Sequence, residues 1–307
     1  MSSMSDTADP GERLRGMRSL GPERAACLVT NAASRSHPVT DRFETTRPCG
    51  PCMARAYGVC AAVVHSDLAR LAALANIVKV SRGQVFLHED KLADHFYILT
   101  VGSAKLYKLL HDGRRQIIAF AQVGSFLGLV ASERYAFSAE AIEPSRLCRL
   151  SRSRLQLFLS DQPAMAHRLL NVAVHDLARA QEQMILLGRM TATERLASFL
   201  LFQTTCRQPR SIRPPRIHLP MSRTDVADYL GLTTETVSRS LATLKKFGAI
   251  VVPNVHEVVV LDHSALVRIA HGSSLQSAPQ VDETLPSVSV PIGAGVTLSG
   301  LGSPRSS

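Results

Sequence analysis

The chain has 307 residues, 45 % of them hydrophobic and 20 % charged, with 35 Lys+Arg against 25 Asp+Glu for a net charge of +10. This composition excludes a wholly disordered, collagenous or coiled-coil protein, and the length predicts about two domains with room for a sizeable core. The opening MSSMSDTADPGERLRG has no apolar signal region and no stretch approaches the roughly 18 apolar residues of a membrane span, so a cytoplasmic protein without a membrane partner is expected.

Residues 1–48 mix Ser, Thr, Pro, Arg and Ala without periodicity and read as a disordered N-terminal arm. Residues 49–64 follow as a cysteine-rich segment. Cys49, Cys52 and Cys60 stand in a Cys-x2-Cys-x7-Cys pattern on a Gly/Pro-containing stretch. In a reducing compartment such clustering points to metal or redox chemistry rather than disulfides. Two thiolates that close can chelate one centre, and four would suit zinc or an iron–sulfur cluster. A distant fourth ligand is then needed. Cys27 in the arm, Cys148 in the strand Arg146–Leu150 and Cys206 after a helix are the choices, with Cys148 best placed to tie the segment to a folded core.

Residues 65–160 predict a β-roll sensor domain. Gly102, Gly113 and Gly124 punctuate short apolar runs every eleven residues, Gly83 marks another turn, and Asp112-Gly113 is a hairpin signal. Asp161-Gln162-Pro163 then starts a long helix over 163–190. On it Ala173, Leu177, Ala180, Met184 and Leu187 recur at steps of 4, 3, 4 and 3. This heptad seam of small and large side chains could join two helices across a two-fold axis, giving a homodimer. A helix packed only on its own domain is the alternative.

Residues 191–271 begin with a helix from Thr193 to about Gln203 and end with the strand Val258–Leu261 after a turn at Pro253-Asn254. Between them Ser222–Leu244 reads as helix, tight turn, helix. Ala227 permits close packing, Gly231 a left-handed turn, and Thr233 a helix cap. Val237, Leu241 and Leu244 form the buried face of the second helix. Glu235, Ser238 and Arg239 share another face near its N-terminus, where a recognition helix enters the major groove of double-stranded DNA. Arg can bond guanine bidentately and Glu can accept from the cytosine amino group. Basic excess lies in the folded parts, net +5 over residues 49–165 and +4 over 191–271, as expected if a folded face meets a polyanion. Residues 272–307, rich in Ser, Pro and Gly, read as a disordered C-terminal tail.

The predicted class is therefore α+β: an N-terminal β-roll, a long dimerisation helix and a C-terminal winged helix-turn-helix. Together with Met184–Leu187, Glu194–Ala197 and Thr234-Glu-Thr-Val-Ser-Arg239, this arrangement resembles the cyclic-AMP-receptor-protein/FNR superfamily of transcription regulators, and its oxygen-responsive FNR branch in particular. The resemblance implies a jelly roll of the cyclic-nucleotide-binding type. It implies a [4Fe–4S] cluster on Cys49, Cys52, Cys60 and Cys148, with the intact cluster favouring the dimer. It further implies base reading by Thr234, Glu235, Ser238 and Arg239 on a TTGAT-type inverted repeat, and contact with RNA polymerase.

Two departures stand out. The gap between Cys52 and Cys60 is seven residues where the best-known member has five. Gly124–Val130 has no acid, and Phe137 stands where the phosphate-binding Arg of the cyclic-nucleotide subfamily would fall, so cyclic AMP is not the expected ligand. A regulator with zinc or a small effector in place of the cluster is the alternative. An iron–sulfur enzyme or electron carrier is disfavoured, since no Gly-rich phosphate loop, nucleophile elbow or paired carboxylates appear.

Overall fold

The computed structural model describes Cys49, residues 52–207 and residues 214–272; the expected N-terminal arm with Cys27, and the expected C-terminal tail from 273 onward, lie outside the described residues. A short helix α1 (Met53–Tyr57), two 3-10 turns (Val59–Ala62 and His65–Asp67) and α2 (Leu68–Leu74) lead into the roll. Its strands are β1 (Ala75–Val80), β2 (Val85–Leu87), β3 (His95–Val101), β4 (Ala104–Leu109), β5 (Arg115–Ala121), β6 (Phe126–Leu127), β7 (Ser138–Ala141) and β8 (Ser145–Ser151). They form two four-stranded antiparallel sheets, ordered β1-β8-β3-β6 and β2-β7-β4-β5. Gly83, Gly102, Gly113 and Gly124 all take positive φ, as turn positions between such strands require.

Strand alternation divides the sensor domain into two cores. Tyr97 and Leu99 of β3 and Leu147 of β8 point into the space between the sheets, with Val80, Leu87, Leu106 and Ala139. Phe96, Ile98 and Leu150 point to the opposite face and meet the helical elements through Val59, Val63, Leu71, Leu155, Met165 and Val172. A single layer of sheet thus separates the interior of the roll from the layer that carries the cysteines.

Helix α3 (Arg152–Ser160) precedes α4 (Pro163–Arg189), which begins with Pro at its first turn. Helix α5 (Ala192–Arg207) opens the C-terminal unit and runs past the expected Gln203. It is followed by β9 (Arg216–His218), α6 (Arg223–Leu230), α7 (Thr234–Lys246), β10 (Ile250–Asn254), β11 (Glu257–Val260) and α8 (His263–Ala270). The wing is the sheet β10-β11-β9. Pro253 and Asn254 belong to β10 rather than to the turn, which falls at Val255-His256. Proline is tolerated there because β10 is an edge strand with a register shift between Val251 and Asn254.

Candidate metal centre and DNA-reading face

Three separate pieces of chain bring the cysteines to one place. Cys52 is the N-cap of α1, Cys60 lies in the following 3-10 turn, and Cys148 sits on β8 between Ile77 of β1 and Ile98 of β3. The seven residues between Cys52 and Cys60 are used up by α1, Gly58 and Val59 at the start of the 3-10 turn, which turn the chain back on itself. Gly58 makes that return possible: a Cβ there would stand 2.7 Å from the backbone oxygen of Gly124. Gly124, with φ of 94°, is crowded from the other side, since a Cβ on it would approach that of Tyr57 to 3.0 Å. This backbone contact presses the cysteine segment onto the roll.

Cys49, Cys52, Cys60 and Cys148 line one pocket, walled by Leu71, Ile77, Ile98 and Leu150 and edged by Thr100 and Arg55. All four are free thiols. Burial, and then the neighbouring Cys49 and Cys52, push Cys148 up to about 12. Burial and the other three cysteines raise Cys60 further, and burial with Cys52 raises Cys49, against a lowering pull from Arg55 on both. Burial and mutual proximity thus oppose ionisation of the Cys49, Cys60 and Cys148 thiols. Four soft sulfur donors with a cation at the rim suit a thiolate-ligated metal centre. Among the described residues no three His, Cys, Asp or Glu side chains converge closely enough to hold one ion, although the four cysteines line the same pocket. Arg55 went unnoticed in the sequence because nothing in its local pattern distinguishes it from a solvated arginine.

The cysteine segment also touches the long helix. Val59 and Val63 share a core with Met165 and Val172 of α4, and Cys60 packs against that core. The opposite face of α4 is bare. Leu177 and Met184 are 60 % and 64 % exposed, with Ala173 and Ala180 exposed beside them. Leu170, Val174 and Ile185 broaden the stripe beyond the expected seam. Leu187 departs from it: the side chain is half-buried and lies over Gly231, where a Cβ would meet its Cδ2 at 3.3 Å.

In the C-terminal unit Ser222 and Asp225 form a capping box on α6, and Gly231 takes the left-handed conformation (φ 62°, ψ 42°) that turns the chain into α7. Thr233 caps α7 by accepting from Thr236 N at 3.2 Å. Val237, Leu241 and Leu244 are buried, while Glu235, Ser238 and Arg239 are exposed on the opposite side and Thr234 is half-exposed. The Ser238 hydroxyl donates to Thr234 O at 2.9 Å, a bond it can exchange for an acceptor on a base edge. Hydrogen bonds at the start of α7, helped by Arg239, hold the Glu235 carboxyl below its usual range, so it is an acceptor at neutral pH.

Residues 77–162 match the cyclic nucleotide-binding domain and residues 194–269 the Crp-like helix-turn-helix domain. Nitrogen fixation regulation protein FixK of Bradyrhizobium diazoefficiens is 38 % identical over 204 residues, covering 66 % of this chain and 86 % of that protein. Transcriptional activator protein FnrL of Cereibacter sphaeroides is 31 % identical over 230 residues, covering 74 % and 93 %. Among solved structures, FixK2 from Bradyrhizobium japonicum is 34 % identical with a TM-score of 0.60, covering 64 % of this chain and 96 % of that one. These relatives are transcription regulators rather than enzymes. With both domains present in this order and relatives matched over most of their length, the chain belongs to the CRP/FNR family of DNA-binding transcription regulators.

Proposed function

We propose that this regulator is a cytoplasmic oxygen sensor in which Cys49, Cys52, Cys60 and Cys148 hold a [4Fe–4S] cluster that controls dimerisation on α4 and binding to a TTGAT-type inverted repeat. The observation that carries the reading is that four free cysteines from three chain segments line one apolar pocket, whose walls pack against the core shared with α4. The donor set fits. A polynuclear centre takes one thiolate per iron, whereas a single zinc ion needs all its ligands about 2.3 Å from one point, and no three of these side chains meet at one point. When bound, the cluster would supply a thiolate-ligated iron centre open to attack by oxygen.

The chain's own part follows from the packing. Cys49, Cys52, Cys60 and Cys148 would have to lose their protons to hold the cluster, and Cys60 with its 3-10 turn would then be fixed against β8. Val59 and Val63 of that segment then hold Met165 and Val172, setting the pose of α4 and of its bare apolar stripe. A second copy covering the stripe would present two α7 helices to successive half-sites. A few kcal/mol of differential stability is enough to shift such an equilibrium. Val130 and Phe137 pack against the apolar interior of the roll, which supports a sensor that does not depend on cyclic AMP. Activation through RNA polymerase is the expected output.

Anaerobic reconstitution with iron and sulfide tests the ligand set. The expected result is a brown protein with about four irons per chain, no cluster in Cys148→Ser, and tighter binding to the repeat. Zinc at about one per chain would return the protein to the alternative of a structural metal.

A further inference from the structure

The reading unit is joined to the sensor roll by a largely buried set of charges on β4, β5, β7 and α6. Lys105 is only 7 % exposed, yet its ammonium group is held 3.1 Å from Glu140 Oε1 and 2.9 Å from Asp225 Oδ1. Arg115 brings Nη2 to 3.1 Å from the same Asp225 oxygen and 3.0 Å from Asp228 Oδ2. The Gln116 amide donates to the backbone oxygen of Asp228 at 2.7 Å. Burying charge is costly unless it is paired, so a contact of this kind is either made or broken, with little between.

Asp225 has a second task. It closes the capping box of α6 through Ser222, so the sensor's cations grip the group that starts the first helix of the helix-turn-helix. The other end of α6 is tied to α4: Arg195 donates to Leu187 O, Met190 O and Leu230 O at 2.8–2.9 Å, and Gln183 to Tyr229 O at 2.9 Å. Helix α6 is therefore clamped between the sheet of the roll and the end of α4. The reading face of α7 stays exposed under the clamp.

We infer that the pairing of Lys105 and Arg115 with Asp225 and Asp228 is a positioning clamp through which the sensor roll sets the pose of the DNA-reading unit and hence its fit to a two-half site. This deepens the proposed function and rests on its dimeric reading of a repeat. Because the clamp leaves α7 uncovered, it orients the unit and does not mask it. A lone half-site needs no fixed pose, whereas two half-sites do.

The test uses the full chain, purified anaerobically, with Arg115→Gln, Asp228→Asn and the double variant. Both side chains are about three-quarters buried, at 27 % and 25 % exposure, and either group left alone can still reach water. Each duplex, one with the full inverted repeat and one with a single half-site, is titrated by fluorescence anisotropy. The single variants are expected to lose about tenfold on the full repeat and less than about twofold on the half-site, with the double variant no weaker than the worse single. Hydrogen exchange across residues 223–230 in DNA-free protein should quicken. Unchanged binding, equal loss on both duplexes, or tighter binding would overturn the clamp. If the unaltered protein binds the full repeat no better than the half-site, the dimeric reading fails instead, and exchange alone decides: faster exchange upholds the clamp and unchanged exchange refutes it.

Discussion

At the scale of single residues, the chemistry divides between groups that read and groups that shape. Arg239, exposed on α7, can reach a guanine edge; Arg239→Ala should cost roughly 1–3 kcal/mol at the guanine position of the site and little on duplexes altered there. Equal weakening on every sequence, measured by competition binding, would make it a phosphate contact. Gly58 shapes. With Gly124 O only 2.7 Å from where a Cβ would lie, Gly58→Ala must push the cysteine segment off the roll. A loss of about 1–3 kcal/mol is expected for such overpacking, read by thermal unfolding, with less iron retained after reconstitution. An unaltered melting temperature would show that the segment yields without cost. The cysteine pattern announced its chemistry in the sequence, but the crowding at Gly58 did not, because Gly58 and Gly124 are brought together only by the folded roll.

At the scale of elements, α4 and α6 carry the coupling. The heptad of α4 was legible from spacing alone, and four of its five positions do face outward. Leu187 is half-buried because the last turn of α4 meets the helix-turn-helix at Gly231, a contact no periodicity reveals. Placing a charge on the bare stripe, as in Ala180→Glu, should halve the mass of the reconstituted protein in sedimentation. An unchanged dimer would mean that α4 packs only on its own chain. The capping of α6 has a pH consequence. Burial opposes ionisation of Asp225, but Lys105 and the Ser222 bonds outweigh it and depress its pKa, with Arg115 also close and Glu140 and Asp228 as the nearby carboxylates. A depressed carboxylate stabilises the fold above its ordinary range near pH 4 and loses that contribution as pH falls through the folded value. Urea unfolding at neutral and acid pH should therefore show a steeper acid loss for the unaltered protein than for Asp225→Asn. Equal slopes would mean that Asp225 titrates as in the unfolded chain.

At the scale of the whole molecule, the roll, the long helix and the helix-turn-helix were all readable, since glycine turns, heptad spacing and capping residues are local signals. Contacts between distant segments were not. Lys105 and Asp225 lie 120 positions apart, and the partnering of sensor cations with acids of the reading unit has no trace in the order of residues. Two of the cations, Lys105 and Arg115, are thus neutralised inside the protein by Asp225 and Asp228, which leaves the net charge of +10 unchanged, while Arg239 keeps its charge exposed. The proposed oxygen-labile cluster on Cys49, Cys52, Cys60 and Cys148 would govern DNA binding. Its most direct test follows the visible absorption of the reconstituted full chain and its anisotropy on the labelled repeat together as air is admitted. Absorption and binding should fall in step, and neither should appear in Cys148→Ser. Full binding by colourless, metal-free protein, unchanged by air, would contradict it.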